Sequence, residues 1–187
     1  MKSTPMSQRL VRRILIICLS ATAPSLMSLP ASAQSSEQLD TDSNLLEDFM
    51  RMNQSQLDMA YHHAEAGTIP NGVAEGRAAF FPGAVNNIPV AMLARIAWQG
   101  QVSNRDKGYV LNRVFGLRLL PARMYIGKSL YDGKDSIIID YSRTSLLFHK
   151  IRDEIREIGP GFYLGRAYIK SYGTHFLAVN FALDFNK

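Results

Sequence analysis

From Gly72 to the C-terminus the apolar residues alternate with polar ones in short runs, and explicit turn clusters separate those runs. The turns include Asn104-Arg105-Asp106-Lys107-Gly108, Tyr131-Asp132-Gly133-Lys134, Gly159-Pro160-Gly161 and Ser171-Tyr172-Gly173. A period of two is the signature of a strand with one buried face, and Gly, Asn and Asp mark where the chain reverses. The predicted strands are Val73 to Phe81, Ala97 to Ser103, Tyr109 to Phe115, Ala122 to Leu130, Ser136 to Tyr141, Ile151 to Ile158, Phe162 to Ile169 and Thr174 to Phe185. Eight sequential strands on short turns leave two unpaired edges unless the sheet closes on itself. The expected fold is therefore mainly β, a single eight-stranded antiparallel up-and-down barrel. Such a barrel has an interior just wide enough for side chains or one small ligand.

The last run is the cleanest. His175, Leu177, Val179, Phe181, Leu183 and Phe185 fall on one face, with Ala178, Asn180, Ala182 and Asp184 on the other. Ile151 to Ile158 also fits a helical spacing, but the Gly-Pro-Gly turn and strong strand that follow favour a hairpin. Ahead of the strands, Asn44 with Glu47 has the form of a capping pair. Leu46, Phe49, Met50, Leu57, Ala60, Tyr61 and Ala64 then trace one helical face that ends near Gly67. Asn87-Ile88-Pro89 opening onto Val90 to Arg95 reads as a short helix after the first strand. The small residues Ala74, Gly76, Ala78, Gly100, Gly165 and Ala167 either leave room inside the barrel or sit at bends and under the helix.

The first 33 residues read as a secretory signal. Lys2, Arg9, Arg12 and Arg13 are the only charges before Glu37, an apolar run follows from Ile14, and Ala31-Ser32-Ala33 is an A-x-A cleavage site. Residues 34–43 form a polar, flexible lead-in, and 44–187 form the barrel domain with its N-terminal helix. The expected location is the periplasm or the medium, with no membrane span after cleavage. The chain has 21 Lys and Arg against 16 Asp and Glu, and four of the 21 lie in the signal, which leaves a net charge of +1. The basic balance is thus a property of the signal, and no nucleic-acid partner is expected. Cys18, the single cysteine, leaves with the signal, so the core alone must hold the domain. A domain of about 150 residues buries roughly 70% of its unfolded surface, which suffices.

Several residues are candidates for ligand contact. In Arg152-Asp153-Glu154-Ile155-Arg156-Glu157, a strand puts Asp153 and Ile155 on one side and Arg152, Glu154 and Arg156 on the other. Either the run forms a paired charged site inside the barrel, or it is a solvated face or an ion-pair ladder between strands. Asp140 and Tyr141 end a very apolar strand, where a carboxylate and a phenol would fix a ligand's polar end or cap the next loop. Trp98 and Tyr125 would floor a pocket or belong to the core. Asn112, set among apolar residues, needs a backbone or ligand partner if buried. The four histidines, His62, His63, His149 and His175, make no His-Glu-x-x-His pattern. The sequence also lacks G-x-S-x-G, a P-loop and G-x-G-x-x-G. No metal or cofactor is expected.

Thr68-Ile69-Pro70-Asn71-Gly72-Val73-Ala74-Glu75-Gly76, Ala97-Trp98-Gln99-Gly100-Gln101-Val102, Lys107-Gly108-Tyr109-Val110-Leu111-Asn112, Asp132-Gly133 and Ile137-Ile138-Ile139-Asp140-Tyr141 together resemble small bacterial lipocalin-like proteins. The layout is distantly similar to the family named for its Gly-X-Trp-X-Gly motif, although Ile96 stands where the first glycine of that motif would be. The resemblance covers most of residues 68–170. It implies a calycin-type barrel with an apolar ligand, and it supplies no reaction. The expected function is binding of a small, mainly apolar or amphipathic molecule with a polar or acidic end. Two alternatives stand beside it. One is a barrel-type isomerase or cyclase using Asp140, Asp153 or Tyr141 as acid or base. The other is an interaction module with a filled core.

Overall fold

The computed structural model describes residues 45–79 and 98–187. The signal, the lead-in, the Asn44 cap and the helix expected at 90–95 lie outside the described residues. Two short helices, α1 (Leu45–Met50) and α2 (Gln54–His63), precede eight strands. These are β1 (Gly72–Ala79), β2 (Trp98–Asn104), β3 (Tyr109–Val114), β4 (Leu117–Lys128), β5 (Asp135–Asp140), β6 (Ile151–Gly159), β7 (Phe162–Ser171) and β8 (Thr174–Asp184). Each strand pairs antiparallel with its sequence neighbour, and β1 pairs with β8, so the barrel is closed. The up-and-down order puts the β1–β2, β3–β4, β5–β6 and β7–β8 connections at one end, the distal end. The α2–β1, β2–β3, β4–β5 and β6–β7 connections lie at the other, proximal end.

The single helix expected before the barrel is two. Its apolar face runs on without interruption, but Asn53 breaks the backbone: its side chain accepts from the Gln56 amide while the Gln56 side chain accepts from the Asn53 amide. This reciprocal cap starts a new helix in the middle of the apolar stripe. A second correction concerns β4, which begins at Leu117 rather than Ala122. Pro121 sits in the strand because a bulge opposite Leu111 and Asn112, with Leu120 at φ 53°, takes up the irregularity. Residues 151–159 form a strand, as the hairpin argument expects.

Two apolar clusters separate the faces of the wall. One joins Leu46, Phe49, Met52, Leu57, Ala60 and Tyr61 of the helical segment to Ala79, Phe162, Leu164 and Ala182, so both helices cover the outside of the barrel. The other draws on β1 and β3 to β8 at once, with Ala74, Val110, Met124, Ile137, Ile139, Ile155, Tyr163, Phe181 and Leu183, and is the interior. Burying a large apolar side chain contributes about 1.5–3 kcal/mol, so each cluster supplies a substantial part of the stability. The face of β8 that carries Val179, Phe181, Leu183 and Phe185 points inward, but a bulge at Ala178, where Val179 pairs with Ala167 and Leu177 with Tyr168, turns Leu177 and His175 to the opposite face, so the single face expected from the alternation is broken there. At the proximal end Ile69 packs on the interior, and the Tyr163 hydroxyl donates to the Thr68 carbonyl at 2.6 Å. Phe185 meets the Tyr163 ring edge-on at 5.6 Å, so aromatic and aliphatic side chains plug that end.

Among the described residues no helix is long and apolar enough to cross a membrane.

Candidate functional site

Four of the sequence candidates meet inside the barrel, toward its distal end. Trp98 opens β2, Asn112 lies on β3, Tyr141 follows β5 and Asp153 is the third residue of β6. The Trp98 indole N–H donates to Asn112 Oδ1 at 2.9 Å. Asn112 Nδ2 donates to the Tyr141 hydroxyl at 2.9 Å and to the Leu120 carbonyl at 3.1 Å. The Tyr141 hydroxyl donates in turn to Asp153 Oδ2 at 3.1 Å. A chain of four polar side chains, from β2, β3, β6 and the residue that follows β5, thus crosses an apolar interior. Buried polar groups hold such positions only when their partners are supplied.

The chain is not fully satisfied. Asp153 Oδ1 is shut off from solvent and has no hydrogen-bond partner among the described residues. Burial, with some help from the neighbouring Glu154 charge, pushes the Asp153 carboxyl up to about 7 against the opposing Tyr141 hydrogen bond. Burial likewise holds the Tyr141 phenol well above its ordinary value, with the Asp153 charge adding to it. The carboxyl is therefore poised between a neutral donor and an anion near neutral pH, and the phenol stays protonated.

Sequence reasoning missed two further residues. Gln101 pairs with Asn112 and Ser103 with Val110, so both share the inner face with those residues. Both are buried, and neither Gln101 Nε2 nor Ser103 Oγ has a partner among the described residues. Strict alternation from Trp98 places Gln101 on the outside. A bulge between Trp98 and Gln101, with Gly100 at φ 112°, adds a residue and turns both side chains inward. The Gly100 in this run is the signal that could have marked the change of phase.

The other four candidates are on the outer wall. The Tyr125 hydroxyl reaches Asp140 Oδ2 at 3.4 Å on the surface. Hydrogen bonds from Ser142, opposed by burial, hold the Asp140 carboxyl below its usual value. Arg152 pairs with the buried Glu154 at 3.0 Å, and Glu154 also accepts from Ser129 Oγ at 2.6 Å and the Leu130 amide at 2.9 Å. Arg156 is 0% exposed although it faces away from the interior, because α2 and the β4–β5 connection cover it. Its guanidinium donates to both oxygens of Asp132, at 2.8 and 2.6 Å, to the Tyr61 carbonyl at 2.9 Å and to Ser136 Oγ at 2.8 Å. It also lies 4.5 Å from the centre of the Tyr61 ring. This bidentate pair holds the Asp132 carboxyl down to about 2. The cluster clamps helix α2 to the barrel and is separate from the inner chain.

The small wall residues make room chiefly for rings. A Cβ at Gly76 would collide with Trp98, and one at Gly165 would collide with Phe181. Those two rings meet edge-on at 5.6 Å. Among the described residues no group of three or more His, Cys, Asp or Glu could hold a metal ion.

No family model matches the chain, and no curated protein matches it. A solved structure of a protein from Thermomonospora curvata is similar over 73% of this chain and 89% of its own, with 16% sequence identity and a TM-score of 0.48.

Proposed function

We propose that this chain is an exported, lipocalin-like binding barrel for a small, mainly apolar molecule with a polar or acidic end. The observation that carries the reading is the set of unpartnered inner atoms, Asp153 Oδ1, Gln101 Nε2 and Ser103 Oγ, beside the Trp98–Asn112–Tyr141–Asp153 chain. Leaving a buried polar group unpaired costs about 1–3 kcal/mol, and a ligand's polar head removes that cost. Gln101 and Ser103 offer hydrogen-bond donors to the head, and Asp153 adds one when protonated. The apolar remainder lies toward the distal end, where Leu120 and Phe148 pack on the inner cluster.

Gln101→Leu separates a binding role from a structural one. Gln101 Nε2 holds nothing in the fold, so an apolar residue of similar size should leave the urea midpoint unchanged or raise it. Affinity for a fluorescent fatty acid should fall about tenfold, the equivalent of roughly 1.4 kcal/mol. Unchanged affinity would remove Gln101 from the site. Mass spectrometry of small molecules that co-purify with the native protein would identify the ligand class. If nothing co-purifies and the fatty acid does not bind, the barrel is a filled interaction module.

A second reading rests on Asp153 and Tyr141. A carboxyl titrating at about 7 beside a protonated phenol suits proton transfer, since an acid or base works best with a pKa near the working pH. Recovery of a rearranged product from the co-purified ligand would favour this isomerase-type reading over simple binding.

Export rests on the basic head, apolar run and Ala31-Ser32-Ala33 site. N-terminal sequencing of protein recovered from cells should begin at Gln34 or within a residue or two of it. An intact N-terminus in the membrane fraction would count against export and cleavage.

A further inference from the structure

The distal end carries a chemistry that neither the fold nor the inner site requires. Residues 113–119, 141–150 and 170–176 form or flank three of its connections. Together they contain Arg113, Arg118, Arg143, Lys150 and Lys170, and not one Asp or Glu. Among the described residues none of these five cations has an ion-pair partner. The proximal connections are the reverse: residues 65–71, 104–108, 129–135 and 157–162 hold five acids against three bases. The barrel is therefore polarised along its axis, although the chain beyond its signal is nearly neutral.

Large apolar side chains stand out from the same positive rim. Phe115 occupies the β3–β4 turn at φ 51° and is 65% exposed. Leu146 and Leu147, on the β5–β6 connection, are 94% and 85% exposed. Tyr172, at the tip of the β7–β8 turn, is fully exposed, and Leu117 beside the first turn is exposed as well. A turn tip has no folding reason to carry a bare Phe or paired Leu. Apolar tips among unpaired cations, on three connections that carry no acid, match an anionic lipid surface: the cations meet the headgroups and the tips enter the acyl boundary.

We propose that the distal rim docks on anionic phospholipid membranes, with Phe115, Leu146, Leu147 and Tyr172 inserted and Arg118, Arg143, Lys150 and Lys170 on the headgroups. Docking does not depend on the ligand reading, since a filled barrel with this rim would bind in the same way.

The test is co-sedimentation of the protein with vesicles of phosphatidylcholine, with and without phosphatidylglycerol. The protein should bind the mixed vesicles, bind pure phosphatidylcholine far more weakly, and be released as salt screens the charges. Leu146→Asn with Leu147→Asn, and separately Arg118→Glu with Arg143→Glu, should each weaken binding at least about tenfold. These side chains are exposed, so circular dichroism and urea midpoints should match the parent. Lys107→Glu, at the proximal end, should leave binding unchanged. Absence of binding to the mixed vesicles at low salt overturns the proposal. So does an equal loss in Lys107→Glu, which would mean that binding follows net charge alone. If the Leu146/Leu147 variant instead abolishes a concentration-dependent dimer and vesicles do not bind, the rim is an interface between two copies and the lipid proposal fails.

Discussion

Replacing Asp132 with Ala should destabilise the protein by about 3–5 kcal/mol, the cost of leaving one partner of a buried ion pair alone. Arg156 has no exposure and takes both oxygens of Asp132, so without that carboxylate its buried guanidinium keeps hydrogen bonds to neutral acceptors only, the Tyr61 and Asp135 carbonyls and Ser136 Oγ. The measurement is the urea midpoint at neutral pH. Arg152→Met is the comparison. Arg152 is part-exposed but its partner Glu154 is buried, so removing it leaves a carboxylate held by Ser129 and Leu130 alone, and the loss there should fall below that of the clamp, at about 1–3 kcal/mol. Equal effects at the two positions would mean that the Asp132–Arg156 clamp is no stronger than the Arg152–Glu154 pair. The wild type should also lose the contribution of the clamp as pH falls from about 4 toward 2, because the Asp132 carboxyl titrates at about 2 when folded and near 3.8 when not.

Asp153→Asn should produce the other large effect, and its sign is opposite. The folded carboxyl titrates at about 7 against an ordinary 3.8, so between those values the native state binds the proton that the unfolded chain has released. The contribution of this carboxyl to wild-type stability is then full below about pH 4, falls as pH rises toward 7, and levels off above it. At ~1.4 kcal/mol per pH unit the total is on the order of 4 kcal/mol, an upper bound because the carboxyl can relax toward water. The substituted amide cannot ionise, so the variant should match the wild type near pH 4 and exceed it at pH 8. Denaturant titrations at those two pH values are the check. Parallel curves for the two proteins would show that Asp153 is not held in an apolar interior.

Strand periodicity is enough to specify the barrel, because a two-residue period with a turn between every run leaves few ways to hide the sheet edges. It is also enough to place Asp153 and Ile155 on one face of β6 and Arg152, Glu154 and Arg156 on the other. It does not say which face is inside. Arg156 is among the most deeply buried side chains, yet it lies outside the barrel because α2 covers it, and contacts between Tyr61 and Arg156 leave no trace in local pattern. Trp98, Asn112, Tyr141 and Asp153 are each legible as polar-bearing groups in apolar runs. Their linkage is not, since it joins residues far apart in the chain through the closed barrel. Gln101 and Ser103 escape because one inserted residue at the β2 bulge inverts the alternation on which the strand reading relies.

The seam between β1 and β8, with Glu75 opposite Asp184 and Ala79 opposite Asn180, joins segments about a hundred residues apart. It therefore dictates when the chain can fold. No order of hairpin formation closes the cylinder until Asn180 to Asp184 exist and are free to pair. A chain emerging from the ribosome at about 5–20 residues per second stays an open, edge-bearing sheet until synthesis is nearly complete. The same timing makes the last strand the vulnerable one: a product that stops before Thr174 keeps seven strands, two bare edges and a route to pairing with its neighbours.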